Sequence, residues 1–143
     1  MFIDQAIKLA KKAEVIDEVP VGAVIVENNE VIATGYNGNM SDNITNHAEI
    51  IAINKAIKEK GDWRLNTCDM YITMEPCPMC AGAILKSRIK RIFIGTKSNI
   101  NHNSELIKDI LESSVGYHKT EIVYLDNLEC SKILTDFFKK KRK

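Results

Sequence analysis

Met70-Tyr71-Ile72-Thr73-Met74-Glu75-Pro76-Cys77-Pro78-Met79-Cys80-Ala81-Gly82-Ala83-Ile84-Leu85, continued by Arg91-Ile92-Phe93-Ile94, decides the fold. Met70 to Met74 is a short apolar run with β-prone residues and reads as a strand. Pro76 interrupts it, and Cys77 to Ser87, carrying Ala81, Ala83, Ile84 and Leu85, reads as a helix that starts at a proline. Arg91 to Ile94 reads as a second strand. A strand, helix and strand in this succession close as a right-handed parallel crossover.

The rest of the chain is arranged around that unit. Phe2, Ile3, Ala6, Ile7, Leu9, Ala10 and Ala13 recur at helical spacing, and Asp17 and Glu18 mark the end of that first helix. Val21 to Val26 and Val31 to Thr34, joined through Asn28-Asn29, predict a hairpin. Asn37 to Asn46 is a polar loop. Ala48 to Lys60 predicts a buried helix closed by Gly61, which places His47 at a helix start. After a further polar loop, the pattern predicts a helix over Ser104 to Glu112, a strand over Glu121 to Leu125 and a helix over Asn127 to Lys140. That last helix turns Leu128, Ile133, Leu134, Phe137 and Phe138 inward. The expected fold class is α/β, with a five-stranded mixed sheet between helical layers. At 143 residues and 45% hydrophobic content, residues 1–143 are expected to form a single domain.

Composition narrows the function classes. Met1 to Gln5 carry an acid where a secretory signal would carry basic charge, and no apolar run approaches the ~20 residues of a membrane helix, which predicts a cytoplasmic protein with no membrane partner. Of four cysteines, only Cys77 and Cys80 are closely spaced, unlike a secreted disulfide scaffold. Net charge is +1, but residues 139–143 are all basic, leaving 15 basic against 19 acidic residues elsewhere. A basic C-terminus is able to hold phosphates, and is equally the composition of a solvated tail.

The chemistry is concentrated in His47-Ala48-Glu49 and Pro76-Cys77-Pro78-Met79-Cys80. One imidazole and two thiolates make a three-ligand site for Zn²⁺, leaving a fourth position for water. Two helix N-termini, at His47 and Cys77, aim unpaired N–H groups and positive dipole ends at such a centre and favour the thiolate form. Thiolates blunt the Lewis acidity of the metal, so an acid-base group is needed, and Glu49 stands two residues from the histidine. The pattern therefore predicts a hydrolytic zinc enzyme. A closed structural site is the other reading, with Cys68, Cys130, His102 or His118 as the fourth ligand. Iron or cobalt also suits this donor set.

These residues resemble the zinc-dependent nucleobase deaminases of the cytidine/deoxycytidylate deaminase superfamily, whose pattern is H-x-E with P-C-x-x-C. Within it the chain is most similar to bacterial tRNA-specific adenosine deaminases, through Glu18-Val19-Pro20-Val21-Gly22-Ala23-Val24, Gly35-Tyr36-Asn37, His47-Ala48-Glu49-Ile50, Glu75 to Ile84 and Ser87-Arg88-Ile89. The resemblance implies a three-layer α/β/α cytidine-deaminase-like fold. It implies one Zn²⁺ per subunit on His47, Cys77 and Cys80, Glu49 as proton shuttle, and substrate contacts at Asn37 and Ala48. It also implies a homodimer whose neighbouring subunits shape the site, and a tRNA anticodon loop as partner. Read alone, an asparagine such as Asn37 at a strand end is a turn residue. Phe137-Phe138 before the basic end is similar to the family's terminal helix near RNA, where stacking on bases competes with plain core packing.

One segment departs from the family. Where alanine, a basic residue, aspartate and a glycine-containing stretch are usual, this chain has Thr96-Lys97-Ser98-Asn99-Ile100-Asn101-His102. Three readings follow: deamination of adenosine to inosine at the tRNA wobble position, deamination of a free base or nucleoside of guanine or cytosine type, and a non-enzymatic zinc-stabilised RNA-binding subunit. Retention of Glu49 speaks against the last.

Overall fold

The structure is a computed structural model and describes residues 1–97, 104–112 and 118–141. Helix α1 (Phe2–Val15) leads into the hairpin β1 (Gly22–Glu27) and β2 (Glu30–Tyr36), followed by α2 (Ala48–Lys60), β3 (Asp69–Met74), α3 (Pro78–Lys86), β4 (Arg91–Thr96), α4 (Ser104–Glu112), β5 (Glu121–Tyr124) and α5 (Leu128–Lys141). The strands form one sheet in the order β2-β1-β3-β4-β5. β1 runs antiparallel to β2 and to β3, whereas β3, β4 and β5 are mutually parallel neighbours, so the sheet is mixed as expected. Asn28 and Asn29 turn the hairpin at φ 52° and 63°, a conformation asparagine tolerates better than other residues with a Cβ.

Alternation along the strands builds three layers. Ala23 and Ile25 of β1, Met70 and Ile72 of β3, and Ile92 and Ile94 of β4 enter a core shared with Ala52 of α2, Ile84 of α3 and Leu111 of α4. Val24 and Val26 turn to the opposite face and meet Ala6 of α1, with Phe2 and Tyr71 against them. Tyr71 stacks on Phe93, ring centroids 4.4 Å apart. α5 lies on β3 and β4 beside α1.

Most element boundaries follow the sequence. α2 spans Ala48–Lys60 and is stopped by Gly61 at φ 69°, whose N–H donates to Ile57. Leu128 is the exception in the core: it is 85% exposed, while Cys130, Leu134 and Phe137 are buried. At 100° per residue Leu128 lies roughly 160° around the helix from Cys130. The buried stripe is thus centred on a cysteine, which a hydrophobic pattern weighted towards leucine overlooks. Among the described residues no helix is long and apolar enough to cross a membrane.

Candidate active site

His47 and Cys77 occupy equivalent positions on two helices. Each is the N-cap, with extended backbone (φ −83°, ψ 146° and φ −75°, ψ 170°), and Pro78 follows Cys77 as the first residue of α3. Cys77 therefore stands just outside the helix, whereas Cys80 lies within it and is buried. The two cysteines approach the same point because N-cap and third helical residue share one side of the first turn.

Nδ1 of His47 lies 3.8 Å from Sγ of Cys77. The ligand atoms of His47, Cys77 and Cys80 are all within 4.8 Å of one another, and among the described residues this is the one such group. Tetrahedral zinc at ordinary Zn–S and Zn–N lengths separates S and N by about 3.5 Å, so these side chains fit the ion. The two thiols titrate as one acid. Cys77 is pulled down to about 5, first by the hydrogen bond from Cys80, which is itself held protonated by that same bond and by burial. Two thiols that already share a proton lose the second one when a cation replaces it.

Glu49 is 3% exposed, in the first turn of α2. Burial raises its carboxyl to about 7, and the nearby Cys77 adds to the rise while hydrogen bonds from its own backbone N–H and from Cys80 oppose it. In the metal-free site this carboxyl stands near neutrality, and a cation bound beside it lowers the value towards the ionised form that accepts a proton.

Asn37 is 6% exposed and held on both sides. Its amide nitrogen donates to the carbonyl of Val19 at 3.0 Å, and its Oδ1 accepts from the N–H of Ala48 at 2.9 Å. It is thus more than a turn residue: it ties the end of β2 to the first residue of α2. Asn37→Ala is expected to cost about 1–3 kcal/mol, since the buried N–H of Ala48 loses its acceptor while the half-buried carbonyl of Val19 keeps the N–H of Val21, and urea denaturation measures it.

The other sequence candidates lie elsewhere. Cys68 donates to Glu27 at 3.8 Å, His118 bonds the carbonyl of Ile89 at 2.8 Å, and Cys130 is packed beneath Gly95. None of these three closes the metal cluster. His102 and the segment 98–103 lie outside the described residues. Phe137 is buried and meets Phe138 edge-on at 5.4 Å, so core packing accounts for it. Lys139, Lys140 and Lys141 are exposed in the last turn of α5, and Lys141 pairs with Asp17 at 2.5 Å.

Residues 1–96, which contain His47, Cys77, Cys80 and Glu49, match the cytidine and deoxycytidylate deaminase zinc-binding region. The chain belongs to the cytidine and deoxycytidylate deaminase family. Beyond the matched region, this deaminase is similar over its whole length to tRNA-specific adenosine deaminases. It is 39% identical to that of Bacillus subtilis (strain 168) over 146 residues, covering 100% of this chain and 90% of the relative. The identity to that of Buchnera aphidicola subsp. Schizaphis graminum (strain Sg) is 41% over 139 residues, covering 96% and 91%. Among solved structures, a tRNA:A34 deaminase studied for A-to-I editing at the wobble position aligns with TM-score 0.82 and 34% identity, over 93% of this chain and 98% of that one. Guanine deaminase from Bacillus subtilis aligns with TM-score 0.66 and 32% identity, over 99% and 92%. The three-layer deaminase fold and the hydrolytic zinc enzyme expected from the sequence are thereby met.

Sequence reasoning passed over Glu75, which is 2% exposed and doubly hydrogen-bonded. An acid directly after an apolar strand carries no periodic signal of burial. Its place before Pro76-Cys77 is the only hint.

Proposed function

We propose that this deaminase converts adenosine to inosine at the wobble position of a tRNA anticodon, with one zinc ion per subunit on His47, Cys77 and Cys80. The observation that carries the reading is Glu49: a carboxyl buried at 3% exposure beside a cluster of three ligands. A closed structural site has no use for it. Zinc, when bound, supplies the Lewis acidity that makes water nucleophilic near neutral pH. Glu49 would take one proton from the attacking water and pass it to the purine ring nitrogen, then take the second from the hydroxyl left on the ring carbon and give it to the amino group, so that ammonia departs as the carbonyl forms, the established cycle for this class of enzyme.

Asn37 and Ala48 form the wall against the base in this proposal. The bonds to Val19 and Ala48 fix the amide plane of Asn37, and one N–H and one lone pair remain for an exocyclic or ring atom of the purine. The wobble base is unpaired before binding, which spares the few kcal/mol of extruding a base from a duplex. Lys139 and Lys140 supply charge for phosphates.

The homodimer belongs to the same proposal, and α3 supports it. Gly82 lies on the outer side of that helix with open space where a Cβ would stand, Met79 is 39% exposed, and Trp63 nearby in the connection after α2 is 46% exposed. A glycine inside a helix costs stability unless something approaches closely, and a second copy is such a neighbour. A reducing compartment such as the cytoplasm suits the two metal-binding thiols.

Deamination of free guanine is the second reading, favoured by the guanine deaminase likeness. The tRNA reading is preferred because the alignment to the tRNA:A34 deaminase is tighter at similar identity. Incubating zinc-loaded protein with an anticodon stem-loop bearing a wobble adenosine, and separately with free bases and nucleosides, distinguishes them by mass spectrometry. Inosine in the RNA alone is expected, with RNA binding that weakens steeply as salt rises. Product from free guanine alone overturns the reading.

A further inference from the structure

Glu75 is a buried carboxylate that the proton chemistry leaves unused. It sits directly after β3 and two residues before Cys77, at 2% exposure. Ser104 Oγ donates to its Oε1 at 2.9 Å, and Tyr124 Oη donates to its Oε2 at 2.9 Å. Its own N–H donates to the carbonyl of Thr96 at 2.8 Å. Ser104 opens α4, Tyr124 ends β5 and Thr96 ends β4, so one residue fastens the turn after β3 to three other elements.

Among the described residues both donors to the carboxylate are neutral hydroxyls. The ammonium of Lys97 lies over the Tyr124 ring, 4.9 Å from its centroid. Burying a carboxylate on hydroxyl donors is a net cost that an apolar side chain of the same volume avoids. What a carboxylate adds is direction, since two fixed hydrogen bonds set its rotation as well as its position.

Cys77 is the ligand candidate next to that fastened turn. As N-cap it lies before the first helical residue; from the α3 side its carbonyl accepts from Ala81 N–H at 2.9 Å and its sulfur accepts from the Cys80 thiol. On its N-terminal side the chain is held by buried Pro76 and by Glu75. We infer that Glu75 is a positioning residue for the metal centre, setting where the Cys77 sulfur stands relative to His47 and Cys80. The inference rests on the zinc-ligand reading of those three residues.

The test compares zinc-loaded and cobalt-substituted wild type with Glu75→Ala, Glu75→Gln and Tyr124→Phe. Glu75→Ala is expected to keep the wild-type circular dichroism, to release zinc to a chromogenic chelator about 10–100-fold faster, and to weaken the thiolate-to-cobalt charge-transfer band. Its kcat falls by a similar factor while KM moves less than about twofold. Glu75→Gln restores much of the loss, because its oxygen keeps one hydroxyl and the other hydroxyl turns to accept from its N–H. Tyr124→Phe removes one donor and shows a smaller change in the same direction, which decides the matter if Glu75→Ala does not fold. Zinc release and cobalt spectra equal to wild type, with only a lower melting temperature, overturn the inference and leave Glu75 as a fastener of α4 and β5. Wild type that takes up no zinc removes the metal reading itself, an outcome separate from any behaviour of the variants.

Discussion

Glu49→Gln keeps its zinc and loses turnover by about 10²–10⁴, the usual worth of a positioned proton carrier. The substitution preserves the shape of the side chain in the first turn of α2 and removes only its capacity to ionise. Metal analysis beside a deamination assay checks it, and turnover at the wild-type rate assigns the proton traffic to another group. The same substitution changes stability in the opposite sense. Burial raises the native carboxyl from 4.5 to about 7, so the native state holds this proton more tightly than the unfolded chain does. The sign follows from linkage: the group's contribution is most favourable below pH 4.5, declines as pH rises to about 7 and is flat above. In zinc-free protein at pH 8, Glu49→Gln is therefore expected to be more stable than wild type, by as much as about 3 kcal/mol. Urea denaturation at pH 5 and pH 8 measures it, and an equal effect at both pH values sinks the explanation.

Gly35→Ala is expected to destabilise by about 3 kcal/mol and to reduce activity together with stability. A Cβ on Gly35 would stand 2.4 Å from the carbonyl oxygen of Ala48 and 2.9 Å from the nitrogen of Ala52, both backbone atoms of α2. The helix has to lift off the sheet, and His47 and Glu49 ride on its first turn. Gly22 provides the control. Its Cβ would stand 2.1 Å from the carbonyl oxygen of Ala6 in α1, on the opposite side of the sheet. Gly22→Ala is expected to cost as much stability while the folded fraction keeps its kcat. Thermal melts with kinetics at low temperature separate the two, and equal losses of kcat in both variants would show that the site is not localised on α2.

Much of this was legible in the residues. The crossover from β3 to β4 follows from an apolar strand, a proline and a helical run, and α2 ends where Gly61 reaches φ 69°. The cluster that brings His47, Cys77 and Cys80 within 4.8 Å of one another could be named because histidine and closely spaced cysteines are few and chemically distinct in this chain. What stayed hidden concerned which polar atoms face one another. Sequence spacing placed both cysteines in the first turn of α3, but Pro78 at the first helical position makes Cys77 the cap. Asn37 could be named only by family resemblance, since its partners Val19 and Ala48 are brought to it by two other segments of the chain. Leu128 was assigned inward by hydrophobicity, although the angular position of Cys130 decides which side of α5 is covered. Glu75 gave no warning because burial of an acid depends on Ser104 and Tyr124, 29 and 49 residues further along the chain.

The loop between β2 and α2 has a practical consequence for redesign. Its neck is closed by the N–H of Gly38 donating to the carbonyl of Asn46 at 2.8 Å, and inside it Asn39 and Asn43 satisfy the backbone at Ser41 and Thr45. Residues 39–45 form a compact loop with two further ties, the N–H of His47 donating to the carbonyl of Thr45 at 2.7 Å and the N–H of Met40 to Glu18 at 3.4 Å, while Asn37 is held by Val19 and Ala48. Loops of this kind accept changes of length at a small entropic charge. A library varied in composition between Met40 and Asp42, with Asn43 to Asn46 kept, can thus reshape the loop while the bond that holds the His47 backbone stays.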